Sequence, residues 1–193
     1  GDQAPAPRRE TLYGLIHRAI RDCIKENYGN AAWEKVHQDA GTNDSHFVSL
    51  QSFPDDIAFG MVAVACDAIP ISAEKLLHTL GRHWVLKTAK QEYGPILDFG
   101  GRDLLSFLRN LDAMHEQVAI SFSNLQQPSF HVTEDKDGTA LLHYKSHREG
   151  LSAFVVGLLS GLSEHFGQPI HVEQVNAKAD GDDHDVFRIV MET

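Results

Sequence analysis

The sequence predicts an α+β fold, with an N-terminal helical part followed by a roughly four-stranded antiparallel sheet and one packed helix. Two observations carry this reading. From Leu12 to Phe122 apolar residues recur every three or four positions, and beyond Phe122 the period shortens to two in brief β-branched runs. The strands are gathered after the helices instead of alternating with them, which is the segregated layout. A chain of 193 residues can bury a sizeable core in one domain. Residues 1–11 are set aside as a flexible extension or cloning remnant, leaving 12–193 as a single domain.

The elements follow in order. A first helix is expected over Leu12–Asn27, with Ile16, Ile20 and Ile24 inward and Tyr28-Gly29 as its stop. Ala31–Ala40 should form a short second helix around Trp33 and Val36, and Phe47–Phe53 an extended segment. Asp55 or Asp56 can cap a helix through Met61–Asp67 that ends before Pro70. Ser72 then caps a longer helix through Leu76, Leu77, Leu80, Trp84 and Val85 to about Lys90, broken at Tyr93-Gly94-Pro95. Gly100-Gly101 reads as a turn. Beyond it, Asp103–Ser121 is an amphipathic helix whose apolar stripe is Leu104, Leu108, Leu111, His115, Val118 and Phe122. Strands are expected at Ser129–Thr133, Thr139–His147, His171–Asn176 and Val186–Met191, with a hairpin turn at Lys136-Asp137-Gly138. Leu151–Phe166 is the helix between them, closed by Gly167.

Composition narrows the function. A net charge of −10 opposes binding to nucleic acid and to anionic membrane surfaces. No apolar run approaches a membrane span. Two cysteines, Cys23 and Cys66, fit a reducing cytoplasm better than a disulfide framework. The twelve histidines form no zinc-type cluster, and His143 with His147 reads as two solvated positions on one strand face. Ala179–Asp185 is rich in carboxylates without EF-hand spacing, so it reads as a solvated acidic turn.

Two places remain that plain packing does not absorb. His115 occupies an apolar stripe, where an imidazole must find a partner. A backbone carbonyl would serve; so would the iron of a buried heme, since neutral imidazole is a good iron ligand. If Ala140–Arg148 is a strand, Leu142, Tyr144, Ser146 and Arg148 share one face. That face presents a phenol, a hydroxyl and a guanidinium. A protein carboxylate would satisfy the arginine, and so would a ligand with paired carboxylates such as heme.

The chain resembles a heme nitric oxide/oxygen-binding (H-NOX) domain, the family that includes the heme domain of soluble guanylate cyclase. The matching segments are Tyr13-Gly14-Leu15-Ile16, Leu111-Asp112-Ala113-Met114-His115, Pro128-Ser129-Phe130 and Tyr-x-Ser-x-Arg at Tyr144, Ser146 and Arg148, followed by Glu149-Gly150-Leu151. The resemblance spans about Leu12 to Val190. It implies ferrous heme b (iron protoporphyrin IX) buried between the helices and the sheet, with His115 as proximal iron ligand. By the same resemblance Tyr144, Ser146 and Arg148 would hold the propionates and Pro128 would press on the porphyrin. Ile16, Ile20, Trp84 and Phe154 would line the distal side, although each also reads as ordinary core. No C-terminal zinc site is expected, because no cysteine follows Cys66.

The function this implies is a nitric oxide sensor, not an enzyme, that binds nitric oxide and carbon monoxide and signals by releasing His115. The signal would pass to a separate partner, in bacterial relatives typically a histidine kinase or a diguanylate cyclase. An oxygen carrier of the same fold is the alternative. It wants a distal tyrosine, and Leu151–Gly161 has none. A peroxidase or oxygenase would need a distal acid–base pair or a thiolate ligand, and only His17, rotated inward, stands near. A heme-free dicarboxylate-binding fold is the plainest competitor.

Overall fold

The structure, a computed structural model, describes residues 10–193, which divide into two units. Residues up to Ile69 with Asn124–Gln126 form the first, and Pro70–Ser123 with Gln127–Thr193 form the second. The extension expected over residues 1–11 lies outside the described residues as far as position 9, and Thr11 already belongs to a strand.

In the first unit, β1 (Thr11–Tyr13) leads directly into helix α1 (Gly14–Tyr28), which is followed by α2 (Asn30–Asp39). β2 (Ser52–Pro54) pairs antiparallel with β1, setting Leu12 opposite Phe53, and runs into α3 (Asp55–Ala68). The core is the meeting of three apolar stripes, with Leu15, Ile20 and Ile24 from α1, Trp33 and Val36 from α2, and Met61 and Ala65 from α3. Two local expectations change. Phe47–Phe53 is extended only at its end, because Asn43 caps a 3₁₀ turn over Asp44–Phe47. Pro54, not an aspartate, occupies the cap position of α3, and Asp55 and Asp56 sit in its first turn, where the helix dipole favours negative charge.

The second unit begins with α4 (Ala73–His83), capped by Ser72, whose hydroxyl accepts from the Lys75 amide at 3.2 Å. Trp84–Ala89 continues as a π-helical stretch into α5 (Lys90–Phe99), which kinks at the non-helical Tyr93 before Pro95. Next come α6 (Leu104–Ser121), β3 (Ser129–Glu134), β4 (Ala140–Lys145), α7 (Ser152–Phe166), β5 (Ile170–Asn176) and β6 (Asp185–Met191). The four strands form one antiparallel sheet in the order β3-β4-β6-β5. The expected α+β layout and its four-stranded sheet are therefore present. Only one face of the sheet carries the core: Phe130, Leu142, Tyr144, Phe187 and Ile189 pack with Leu104, Phe107 and Leu108 of α6 and Val155, Leu159 and Leu162 of α7. Among the described residues no helix is long and apolar enough to cross a membrane.

Helices α4 and α7 approach closely because three glycines stand between them. A β-carbon on Gly81 would lie 2.2 Å from the Phe154 carbonyl oxygen, and one on Gly157 would lie 2.1 Å from that of His78. Gly161 leaves room for Val85 in the same way, at 2.9 Å. Backbone thus touches backbone, and the chain enters its π-helical stretch beside α7.

Two imidazoles tie stability to pH. His17 is fully buried, with Nδ1 2.7 Å from the His46 carbonyl, and burial lowers its pKa below 6.5. His143, on the outer face of the sheet, is lowered by burial and then by its neighbours His184, His131 and Lys145. For both groups the unfolded chain binds protons more readily than the folded one. Their contribution to stability is therefore complete above about pH 6.5 and is lost as pH falls below it. The urea midpoint of the heme-free protein should fall between pH 7.5 and 5.5, and His143→Gln should flatten that dependence. A midpoint constant across the window would contradict the assignment.

Candidate functional site

α6 is set in place from its N-terminal end. Asp103 caps it, with Oδ1 accepting from the Ser106 amide at 2.8 Å, and these contacts hold its carboxyl below the usual range. The preceding Gly100 and Gly101 press against the helix: a β-carbon on either would lie within 2.6 Å of Met114 Sδ or the Phe107 amide. Asn110 donates to the Gly100 carbonyl at 2.8 Å, so the turn and the helix are one unit.

Three residues before His115, Asp112 fastens the helix to the sheet. Its Oδ1 accepts from the Phe130 amide at 2.8 Å and its Oδ2 from the Ser129 hydroxyl at 3.1 Å. Pro128, just upstream, is half-buried at the entry to β3. This join places the His115 ring 5.9 Å from Phe130, whose own ring lies 5.3 Å from Tyr144, its partner in the β3–β4 register. The sequence reading quoted Asp112 only as part of a motif. Its structural role could have been suspected from the need of the Phe130 amide, at the start of β3, for an acceptor.

His115 Nδ1 is buried and makes no hydrogen bond. Burial lowers the pKa of the ring, against the opposing pull of the Asp112 carboxylate and the Pro128 backbone. The imidazole is consequently neutral at pH 7 with a lone pair to offer. Among the described residues no group of three His, Cys, Asp or Glu side chains could hold a metal ion. A lone imidazole suits iron whose remaining positions come from a macrocycle. The site fits a heme in this respect.

At the other end of the Phe130–Tyr144 contact, a cavity of about 260 Å³ is lined by Tyr144, Ser146 and Arg148, with Lys178 and His184 across from them. The expected strand to Arg148 is corrected here: β4 ends at Lys145, and Ser146–Arg148 form a bend. The cause is local. The Ser146 hydroxyl accepts from the Arg148 amide at 3.1 Å, and a side chain bonding the backbone two residues on competes with the ladder. The three motif residues still line one cavity. Burial raises the Tyr144 phenol pKa, opposed by its bond to Ser146 and the charge of Arg148.

His143 and His147 do not form a strand-face pair, since His147 lies past the end of β4. His143 instead joins a chain of contacts, with Nε2 2.8 Å from Thr133 Oγ1 and Nδ1 2.8 Å from His184 Nε2. His184 Nδ1 is in turn 2.8 Å from Asp183. The four residues expected on the distal side sit in both units. Ile20 is buried and Ile16 half-buried on α1, while Trp84 and Phe154 are half-buried in the second unit.

A family profile described as Haem-NO-binding matches residues 13–174. The chain belongs to that family. This H-NOX domain is 29% identical over 157 residues to the soluble guanylate cyclase gcy-31 of Caenorhabditis elegans, covering 81% of the domain and 22% of that protein. It is 36% identical over 93 residues to the guanylate cyclase soluble subunit beta-2 of Rattus norvegicus, covering 48% and 14%. The chain thus spans about a fifth or less of the length of these relatives. Among solved structures, an H-NOX protein from S. oneidensis in the Fe(II)NO ligation state shares the fold at a TM-score of 0.84 and 20% identity, covering 94% of this chain and all of that one. The unliganded Fe(II) H-NOX protein from K. algicida does so at 0.79 and 20%, covering 94% and 97%. H-NOX domains are sensor modules and not catalytic ones.

Proposed function

We propose that this domain holds ferrous heme b with His115 as the iron ligand, and that it senses nitric oxide. The supporting observation is the buried, unpartnered Nδ1 of His115 on a helix joined to the sheet that carries Tyr144. Arg148 and the hydroxyls of Tyr144 and Ser146 would take the propionates, and Pro128 would contact the porphyrin. Heme held by these residues would supply an iron able to bind nitric oxide, with His115 as its protein ligand. The chain's part is then mechanical. Asp112 ties α6 to β3, and an iron bond at His115 would be a second tie, so a change at the imidazole would leave the helix attached to the sheet. Two arrangements whose balance depends on ligand make a switch. The output would pass to a partner enzyme, a histidine kinase or a diguanylate cyclase in trans. A cytoplasmic setting suits Cys23 and Cys66, both free thiols, with burial pushing that of Cys23 up to about 12.

Ligand choice follows from polarity. Of Ile16, Ile20, Trp84 and Phe154, only Trp84 carries a donor, and Leu151–Gly161 contains no tyrosine. Nitric oxide draws most of its affinity from iron, whereas oxygen needs a hydrogen bond to its polarised form. Losing a bond worth about 1.5–3 kcal/mol lowers affinity roughly ten- to a hundred-fold. The reduced protein should therefore change spectrum with nitric oxide and with carbon monoxide, but show no long-lived oxygenated spectrum in air. A stable oxygenated spectrum would make the domain an oxygen carrier.

The propionate assignment predicts an order of heme retention. Arg148→Ala should release heme to apomyoglobin faster than Ser146→Ala, since charge-assisted contacts are worth about twice neutral ones. Equal rates from the two variants would count against it.

A further inference from the structure

The cavity beside Tyr144 has a second wall that the Tyr-x-Ser-x-Arg motif does not include. It comes from the connection between β5 and β6, which contributes Lys178 and His184. This connection is firmly built. The Lys178 amide donates to Asp185 Oδ1 at 2.8 Å, and the Ala177 amide donates to Asp182 Oδ2 at 2.9 Å. A 3₁₀ turn over Lys178–Asp180 ends at Gly181, with φ of 100°. Farther along, His184 is held between Asp183 and His143, and His143 is tied to Thr133 of β3. The loop is thereby anchored across the outer face of the sheet.

The position of Lys178 follows from these ties. Its ammonium reaches the Ser146 carbonyl at 3.4 Å, inside the motif's own bend. The two carboxylates of the cavity are already engaged. Asp185 accepts from Ser152, from Gln174 and from the Lys178 amide, and Asp183 is bonded to His184. Lys145, Arg148 and Lys178 line the cavity with Asp183 and Asp185, three cations to two carboxylates, and among the described residues the Lys178 ammonium has only a long bond to a carbonyl oxygen. Its chemical complement is a carboxylate.

We propose that Lys178 is a further ligand-binding residue of this cavity, pairing with the second carboxylate of a dicarboxylate whose first is held by Arg148. The inference rests on the heme reading, in which the two carboxylates are the propionates. Arg148 forks onto one group, and Lys178 acts as a point charge for the other. His143, outside the cavity, is a positioning residue that ties His184 and its loop to β3.

The test is heme transfer from the loaded protein to apomyoglobin, with heme and with heme dimethyl ester, whose carboxylates are masked. With heme, Lys178→Ala should lose it about two- to fivefold faster at low salt, the range for a solvent-exposed charged contact, and the gap should narrow as salt is added. Lys178→Arg should behave nearly as the unsubstituted protein, and with the ester all three should lose the group at one rate. If Lys178→Ala keeps heme as the unsubstituted protein does while Arg148→Ala loses it faster, the heme reading stands and the role of Lys178 falls. If the unsubstituted protein takes up no heme, both fall together.

Discussion

Replacing His115 with glycine should leave a folded protein that has lost its bond to iron. The side chain removed is half-buried, and the rest of the apolar stripe, Leu104, Leu108, Leu111, Val118 and Phe122, is untouched. A glycine inside the helix costs about 1 kcal/mol, partly offset because the unpartnered Nδ1 disappears with the ring. Asp112 still fastens α6 to β3. The spectrum of the reduced, heme-loaded variant should show an iron without protein imidazole, and free imidazole should restore the original bands. Survival of those bands in the variant, without added imidazole, would falsify the assignment and make another histidine the ligand.

The second large effect is on stability and lies at the contact of α4 with α7. Gly157→Ala places a methyl group 2.1 Å from the His78 carbonyl oxygen, where backbone and not a flexible side chain must yield. Forced overpacking of this kind costs about 3 kcal/mol. For a domain of this size that is a fall in Tm of roughly 6–12 °C. Gly60→Ala in α3 is the control, since nothing lies within 4 Å of the added carbon there. It should leave Tm unchanged or raise it slightly, as alanine favours the helix. A Gly157→Ala protein as stable as the control would mean that the two helices can separate without loss.

Local features were legible because they are short-range. The stripe from Leu104 to Phe122 implied α6, and Asp103 caps it as Ser72 caps α4. Asp137-Gly138 implied the hairpin, and Gly138 takes φ of 80° there. The break at Tyr93 was visible in the proline two residues later. The π-helical stretch over Trp84–Ala89 left no mark in the periodicity, and the Gly157-x-x-x-Gly161 spacing does not say which helix comes close.

Strand length was misjudged where a side chain outbid the ladder. Alternation in Ala140–Arg148 runs on unbroken in the sequence, yet the Ser146 hydroxyl bonds the Arg148 amide and ends β4 at Lys145. Nothing in the composition of that segment distinguishes a hydroxyl facing a ligand from one shaping a bend. The same holds for His143, read as solvated and found bonded to residues ten and forty-one positions away.

By itself the sequence determined the α+β layout and the helix bearing His115, because period and caps are properties of neighbouring residues. Only the tertiary structure decided that Asp112 joins α6 to β3, that His115 stands one aromatic ring away from Tyr144, and that Lys178 closes the same cavity as Arg148. Those relations depend on strand register and on hydrogen bonds between distant segments. A one-residue slip of β3 against β4 would turn Phe130 to the other face and undo them.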